Sequence, residues 1–190
     1  MSDNYFYSQE FEKIEFDDLQ LNYKEYEACK FISCDFTQVS FKGVSFIDCI
    51  FTDCNFKESK INYVSLRDVV FKKCDFTLVN FAMTDQVIYA FEFEDCTLDY
   101  AQFYKLKLRK MLFSKCSMVA VDFMETDLTQ ALFDHCNLRL AVFMNTNLSQ
   151  ADFLTSYDYV IDPEKNKIKK AIFSLEGVKG LLTKYDIRIK

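Results

Sequence analysis

The sequence predicts an all-β fold, a quadrilateral parallel β-helix in which four five-residue repeats form one square coil. An apolar residue returns at every fifth position from Phe6 to Phe81 and, after a shift of two residues, from Ile88 to Phe153. These are 30 consecutive apolar centres in a chain that is 50% hydrophobic. Such a series would arise by chance about once in 10^9 sequences, so the period of five is a structural repeat.

A period of five suits neither an α-helix nor a continuous strand. Five residues of α-helix turn through about 500°, so successive centres would point in different directions. An odd period in a strand would send successive centres to opposite faces. The chain must therefore bend once in every repeat. Four bends near a right angle close one coil, and each centre then stacks on the fourth centre after it.

A second inward position, two residues before each centre, supports this geometry. From Cys29 onward small or β-branched apolar residues dominate it, and the polar exceptions are few: Ser59, Gln86, Thr126 and Thr146. In the first coils the position is poor, with Asn4, Gln9 and Lys24. All eight cysteines occupy it, so we expect them to be buried, free thiols: Cys29, Cys34, Cys49, Cys54, Cys74, Cys96, Cys116 and Cys136. Taking every fourth centre also predicts one column made entirely of phenylalanine, from Phe11 to Phe153.

The shift between the two series of centres predicts a bulge over Thr84–Ala90. The columns stay in register only if two residues are inserted within one coil there. We accordingly divide the chain into an N-terminal cap with irregular first coils at residues 1–25, a β-helix at residues 26–156 with the bulge at 84–90, and a C-terminal segment at residues 157–190.

The C-terminal segment departs from the repeat after Phe153. It is predicted to form a loop, a short helix and a final strand at Ile187–Ile189. Ser174 is a suitable helix N-cap. Gly177 and Gly180 would each cost the helix about 1 kcal/mol relative to alanine, so packing must stabilise it. The helix has an apolar stripe made of Leu175, Val178, Leu181 and Leu182. This stripe would cover the last coil of the same molecule only, or it would cover that coil and a second copy of the chain together.

The five-residue units resemble those of the pentapeptide-repeat family. Examples are Cys34-Asp-Phe-Thr-Gln38, Ala141-Val-Phe-Met-Asn145 and Ala151-Asp-Phe-Leu-Thr155. The resemblance implies a right-handed quadrilateral β-helix, a pentapeptide-repeat solenoid with a short C-terminal helix and strand. The tail from Phe173 is similar to the C-terminal module of the Qnr-type quinolone-resistance branch, where it joins two rods end to end. It implies a homodimer with an interface at Leu175, Val178, Leu181, Leu182, Ile187 and Ile189.

The sequence offers no catalytic, metal or cofactor site. His135 falls in an outward position, and the cysteines form no C-x-x-C pair, so neither a general base nor a zinc site is indicated. Phosphate-binding glycine loops are absent. We expect no enzyme activity, no cofactor and no metal. Tyr89, Tyr100 and Tyr104 are exposed aromatics that could anchor a partner, although scattered surface tyrosines are common.

Apolar runs long enough for a membrane span and a signal peptide are also absent, and the many cysteines agree with a reducing compartment. A cytoplasmic location is therefore expected.

Charge and resemblance together predict the function. Residues 1–160 carry a net charge of −10 and residues 161–190 a net charge of +4. An acidic rod resembling the Qnr branch would act as a mimic of duplex DNA that binds a type II topoisomerase such as gyrase. Its charge, one per about 3.6 Å against one per about 1.7 Å in DNA, is half-strength. The alternative is a protein-interaction scaffold without topoisomerase binding. Direct nucleic-acid binding is not expected, because the basic residues form no evident groove and the acidic sign of the rod opposes it. No membrane partner is expected either, since no apolar run is long enough to span a bilayer.

Overall fold

The computed structural model describes residues 4–84 and 90–188 and divides into two compact units, residues 1–98 and residues 99–190. Each unit is a parallel β-helix of four-repeat coils, which confirms the predicted fold class.

The first unit contains β1 (Tyr5–Tyr7), β2 (Glu10–Glu12), α1 (Asp18–Leu21), β3 (Glu25–Glu27), β4 (Lys30–Ile32), β5 (Ser45–Ile47), β6 (Ile50–Thr52), β7 (Ser65–Arg67), β8 (Val69–Lys72), a 3-10 helix (Phe81–Met83) and β9 (Phe91–Glu94). The second contains β10 (Leu112–Ser114), β11 (Leu132–Asp134), β12 (Asp152–Phe153), β13 (Ile172–Phe173), α2 (Lys179–Leu182) and a 3-10 helix (Thr183–Tyr185).

The first unit keeps the predicted register of one coil between paired strands. One sheet runs β1-β3-β5-β7 and the other runs β2-β4-β6-β8-β9, with every pair parallel. Phe51 aligns with Phe71, whereas Phe71 aligns with Phe93, two positions beyond the regular partner. The two-residue insertion is therefore confirmed. The interior of the predicted bulge, residues 85–89, lies outside the described residues.

The N-terminal segment already belongs to the coils. Strand β1 pairs with β3, placing Phe6 beside Tyr26, and both rings stack at 5.0 Å. The centres Phe6 and Phe11 are only half-buried, so the first coil is less well covered than those that follow. One corner of this coil is the short helix α1, which is capped by reciprocal hydrogen bonds between Asp17 and Gln20.

The second unit continues for one coil more than the sequence analysis predicted. Strand β13 pairs with β12 and places Phe173 on Phe153, so the repeat does not end at Phe153. Asp158 and Pro163 take two of the four centre positions of this coil and therefore interrupt the apolar series. The buried Tyr159 supplies the missing ring, with its centroid 5.4 Å from that of Phe153.

A left-handed residue makes nearly every bend. In the described residues, 28 non-glycine positions have positive φ, and all but Asp186 and Asp158 lie two residues after an apolar centre. Such a residue costs roughly 1–2 kcal/mol in an unsupported chain. None of the 28 is β-branched, in keeping with the steric cost of this conformation. Most bends are fixed by a ladder bond, as when the Gln130 N–H donates to the Ser149 carbonyl at 3.0 Å.

Stacked phenyl rings fill the interior as predicted. Phe31 and Phe51 stack at 4.5 Å with 7° between their planes, and Phe113 and Phe133 stack at 5.1 Å with 10°. Rings on adjacent walls meet edge to face, as Phe31 and Phe36 do at 5.9 Å. Both arrangements are favourable for aromatic pairs. The phenylalanine column is therefore a continuous stack within each unit.

The cysteine position is buried, and all eight thiols are free, as predicted. The structure adds a polar role, because most of these side chains reach a carbonyl of the coil before. The Cys49 thiol donates to the Tyr26 carbonyl at 3.3 Å, and the Thr126 hydroxyl makes the equivalent bond to Phe103 at 2.8 Å. This bond explains why hydroxyl residues share the position. Burial raises the pKa of Cys49 to about 12, so it remains a thiol.

The predicted N-cap at Ser174 does not cap the helix, because α2 begins at Lys179 and its N-cap residue Val178 makes no side-chain cap bond. The Ser174 hydroxyl instead accepts from the Gly177 N–H at 3.0 Å, in the turn before α2. The predicted final strand is not seen in the described part of the tail, since Ile187 and Arg188 belong to no strand, and Ile189 lies outside the described residues.

The two tail glycines allow the tail to contact the last coil. A Cβ at Gly180 would lie 2.0 Å from the Tyr159 carbonyl oxygen, and one at Gly177 would lie 1.8 Å from the Tyr159 hydroxyl. The Gly180 carbonyl also accepts from the Ile161 N–H at 3.2 Å. Lys184 adds ion pairs with Asp162 and Glu164 at 2.7 and 2.8 Å. The glycines are thus needed for close packing, which the sequence analysis counted only as a cost.

Replacing Phe71 by alanine should lower the free energy of unfolding by about 3–5 kcal/mol, because it empties a buried aromatic site. Replacing its neighbour Lys72, whose side chain is 47% exposed, should change it by less than about 1 kcal/mol. Urea titration followed by circular dichroism measures both. Equal losses for the two variants would contradict the assignment of inward and outward positions.

Replacing Gly180 by alanine should release the tail, because the new methyl group would meet the rigid backbone of Tyr159. The initial rate of tryptic cleavage in residues 179–188, followed by mass spectrometry, should rise at least about tenfold if the tail opens by about 1.4 kcal/mol more readily. The exposed Glu176→Ala variant is the matched control; it loses only its ion pair with Lys179, so cleavage after Lys184 and Arg188 should keep the wild-type rate. A wild-type rate for Gly180→Ala would show that this contact does not hold the tail.

Candidate protein-binding surfaces

Acidic charge is concentrated in the first unit. Residues 1–98 carry 18 Asp and Glu against nine Lys and Arg, a net charge of −9. Residues 99–190 carry 11 against 14, a net charge of +3. The predicted acidic surface therefore belongs almost wholly to residues 1–98, although the sequence analysis extended it over residues 1–160.

One wall of the first unit collects most of this charge. It is built on the centres Phe16, Phe36, Phe56 and Phe76, and we call its outward side the acidic face. Backbone bridges join Glu15 to Asp35, Asp35 to Asn55 and Asn55 to Asp75, which sets these side chains in one column. The face carries a single cation, Lys57, and six carboxylates: Glu15, Asp17, Asp18, Asp35, Glu58 and Asp75.

The turns of the coil fix several of these carboxylates. Asp35 Oδ1 accepts from the backbone N–H of Thr37 at 2.8 Å and from its hydroxyl at 2.5 Å. Asp75 holds Thr77 in the same way at 2.8 and 2.6 Å. Asn55 makes the equivalent bond to the Lys57 N–H at 3.1 Å, so the turn needs an oxygen at this position but no charge. The carboxylates are therefore held in place without being neutralised.

The first coil adds an apolar side chain to the acidic face. Helix α1 presents Leu19, which is 88% exposed and directly follows Asp17 and Asp18 in the chain. An open depression of about 390 Å³ is lined by these three residues and, on the next coil, by Thr37 and Gln38. An exposed leucine beside carboxylates is suited to a partner that presents both cations and an apolar pocket.

The charge density of the acidic face can be compared with that of DNA. Its net charge of −5 is spread over four coils, about 19 Å at the usual spacing between strands of about 4.8 Å. This is one charge per about 4 Å, against one per about 1.7 Å in duplex DNA. One face of the first unit therefore reaches by itself the half-strength density that the sequence analysis predicted for the whole rod.

The tail presents a second candidate surface. Of the predicted dimer-interface residues, Leu175 is 93% exposed, Ile187 is 56% exposed and Val178 is 36% exposed. Leu181 and Leu182 are half-buried, and Ile189 lies outside the described residues. The tail thus contacts its own last coil through the glycines and presents apolar side chains outward as well.

An exposed apolar group on the second unit was not singled out from the sequence. Leu140, Val142 and Met144 follow one another on the outside of one coil, and Val160 lies one coil after Leu140. Their exposed fractions are 68%, 39%, 39% and 54%. The signal was present in the sequence, because outward positions of this repeat are otherwise mostly polar.

Among the described residues, the remaining candidates His135, Tyr100 and Tyr104 form no common site. His135 occupies a bend and is exposed, and its Nδ1 lies 2.6 Å from Asp134 Oδ1, an interaction that holds the pKa of Asp134 below its usual value. Tyr104 donates to Glu125 at 3.2 Å, Tyr100 is 52% exposed, and Tyr89 lies outside the described residues.

Residues 4–84 and 90–188 contain no cluster of His, Cys, Asp and Glu that could hold a metal ion. No helix in these ranges is long and apolar enough to cross a membrane.

Comparisons with known proteins agree with this fold. Two solved structures of QnrB1, described as a plasmid-mediated fluoroquinolone resistance protein, are similar over nearly the whole chain. A trypsin-treated variant form gives a TM-score of 0.57 at 15% identity, covering 98% of this chain and 100% of its own. The full-length form gives 0.52 at 15% identity, covering 96% and 100%.

Comparisons of the sequence itself, with curated proteins and with family profiles, identify the family. No curated protein sequence matches this chain. The profile of the family described as "Pentapeptide repeat region" matches residues 24–103 and 88–157, which is more than half of the chain. The chain therefore belongs to the pentapeptide-repeat family.

Proposed function

We propose that this protein is a non-catalytic binding protein whose acidic face mimics duplex DNA and binds a type II topoisomerase such as gyrase. The observation that supports the mimicry is the set of six carboxylates against one cation on a single wall of the first unit. The likeness to QnrB1, a fluoroquinolone resistance protein, suggests the class of partner. Free, buried thiols suit a reducing compartment, and we place the protein in the cytoplasm.

The mechanism is competition for a basic surface that normally holds DNA. Carboxylates at the coil spacing would pair with Lys and Arg of the enzyme, and Leu19 would fill an apolar pocket beside them. Exposed charge pairs of this kind weaken as salt rises, because counterions screen them. We therefore expect inhibition of the enzyme that decreases with ionic strength.

The test is a supercoiling assay with purified gyrase at low salt. The wild-type protein should inhibit at up to tens of micromolar, about the weak end of useful affinities. The variant Glu15→Gln, Asp35→Asn, Asp75→Asn removes three charges while its amides preserve the turns, as Asn55 does. It should require about tenfold more protein, since three exposed ion pairs contribute about 0.5 kcal/mol each.

The matched control neutralises three carboxylates on another wall of the same unit. The variant Glu25→Gln, Asp48→Asn, Asp68→Asn changes the net charge equally, and its positions belong to the wall centred on Tyr26, Phe46 and Leu66. It should inhibit nearly as well as wild type. If inhibition of supercoiling weakened equally in both variants, only the net charge of the protein would matter and not the acidic face. If the wild-type protein did not inhibit, topoisomerase binding would be rejected.

We also propose that the tail joins two copies into a homodimer. The supporting observation is the exposure of Leu175 and Ile187 on a tail that is already docked on its own coil. Burying apolar side chains of this kind against a second copy would stabilise a dimer by about 25 cal/mol per Å².

Light scattering on the full chain should report a dimer, and the variant Leu175→Glu, Ile187→Glu should report a monomer. The variant Leu140→Glu, Val160→Glu places the same charges on exposed apolar positions elsewhere and should remain dimeric. A wild-type monomer at high concentration would reject the proposal. If only the variant Leu140→Glu, Val160→Glu were a monomer, the dimer interface would lie at the exposed apolar group around Leu140 and not at the tail.

The alternative is a protein-interaction scaffold, which the exposed group of Leu140, Val142, Met144 and Val160 favours. Repeat proteins often bind partners on extended surfaces. A scaffold would leave supercoiling unchanged in the assay above.

A further inference from the structure

One wall of the second unit gathers basic residues that are far apart in the sequence. Its centres are Leu108, Leu128, Leu148 and Ile168, and we call its outward side the basic face. Bridges join Lys107 to Asp127, Asp127 to Asn147 and Asn147 to Lys167. The face therefore spans four consecutive coils, and three outward positions in each coil contribute to it.

The twelve outward positions hold six cations and one carboxylate. The cations, all exposed, are Lys107, Arg109, Lys110, Lys167, Lys169 and Lys170. The carboxylate of Asp127 pairs with Arg109 at 2.6 Å. Although burial acts in the opposite direction, hydrogen bonds from Thr129 and Arg109 hold the pKa of Asp127 below its usual value. The face thus carries +5 in a unit whose total is +3, and the remaining surface of that unit is slightly acidic.

Neutral hydrogen-bonding side chains separate the two groups of cations. They are Thr129, Gln130, Asn147, Ser149 and Gln150. The Gln130 amide donates to the Gln150 carbonyl oxygen at 3.3 Å, so this part of the face is an ordered polar ladder. The outer groups lie three coils apart, about 14 Å at the usual strand spacing.

The composition of the face indicates the class of partner. None of its twelve positions, all within the described residues, is apolar or aromatic. Protein interfaces rely on aromatic and apolar anchors at their centre. Contacts to a phosphate backbone, in contrast, are made by Lys, Arg, Ser, Thr, Asn and Gln. Eleven of the twelve residues belong to these types.

We infer that the basic face binds the phosphate backbone of duplex DNA without reading its sequence. The two groups of cations contact phosphates, and between them the Ser149 hydroxyl and the amides of Gln130, Asn147 and Gln150 donate to phosphate or sugar oxygens. The Thr129 hydroxyl is already engaged, because it donates to Asp127 Oδ1. The sequence alone predicts no direct nucleic-acid contact, because the basic residues form no groove along the chain. The coils bring Lys107 and Lys167 to one wall. This surface is independent of the proposed acidic face, which lies in the other unit.

Fluorescence anisotropy with a labelled 20-base-pair duplex of arbitrary sequence tests the inference. Full-length protein should bind more tightly at about 50 mM salt than the 10⁻⁴ to 10⁻⁶ M that is usual for non-specific binding at physiological salt. With about four phosphates contacted, affinity should fall about a hundredfold between about 50 and 200 mM salt. An unrelated duplex of equal length should bind equally well.

Two charge-matched variants make the test specific. Lys167→Gln, Lys169→Gln, Lys170→Gln removes one group of the face and should weaken binding at least about tenfold, with a salt slope smaller by nearly three. Lys105→Gln, Lys115→Gln, Arg139→Gln removes three cations from the other walls of the same unit and should bind like wild type. Thermal unfolding of each variant checks that the fold is retained.

Three results would overturn the inference. Equal loss in both variants would mean that only net charge matters. Absence of wild-type binding at about 100 μM protein and low salt would exclude even weak non-specific affinity. The third is that the wild-type protein binds no DNA but associates with itself, and that the variant Lys167→Gln, Lys169→Gln, Lys170→Gln no longer does so. It would show that the basic face meets an acidic surface of a second copy.

Discussion

The backbone ladder between successive coils is the constraint on which the rest of the molecule depends. The N–H of most bend residues donates to a carbonyl of the following coil, as Lys110 does to Thr129. Two positions later the N–H donates to a carbonyl of the preceding coil, as Asp122 does to Ala101. These alternating bonds fix every position to a wall and to a direction. Buried backbone groups must be paired, so a shift of register would cost many bonds at once.

The interior follows from this ladder and could be predicted from the sequence. Apolar centres one coil apart must stack, and the small position before them must hold side chains such as Cys and Val. The last coil could not be predicted from centres alone, because Asp158 and Pro163 occupy two of them while Tyr159 fills the space. In the same way, Gly177 and Gly180 weaken an isolated helix but are the residues that fit against Tyr159.

The surfaces depend on register as much as on composition. A sum over residues 1–160 describes an evenly acidic rod, whereas sorting by wall shows one acidic face in residues 15–78. Lys107 and Lys167 are distant in the sequence, and only the coil brings them to the same wall. The roles of Asp35 and Asp75 in their turns also had no signal beyond a polar residue before each centre. Prediction of a surface in this fold therefore requires the phase of every coil.

That phase decides which changes of length the second unit can accept. An insertion of four whole repeats between Asn137 and Asn147 would add one coil and move Lys167 along the same wall by about 4.8 Å. An insertion of a single repeat at the same place would turn everything after it by one wall. The core would still receive an apolar centre in each repeat, but the two groups of cations would no longer lie on the same face. Such a chain could keep its stability and lose a surface, so the lengths of related chains should vary by whole coils wherever a face is in use.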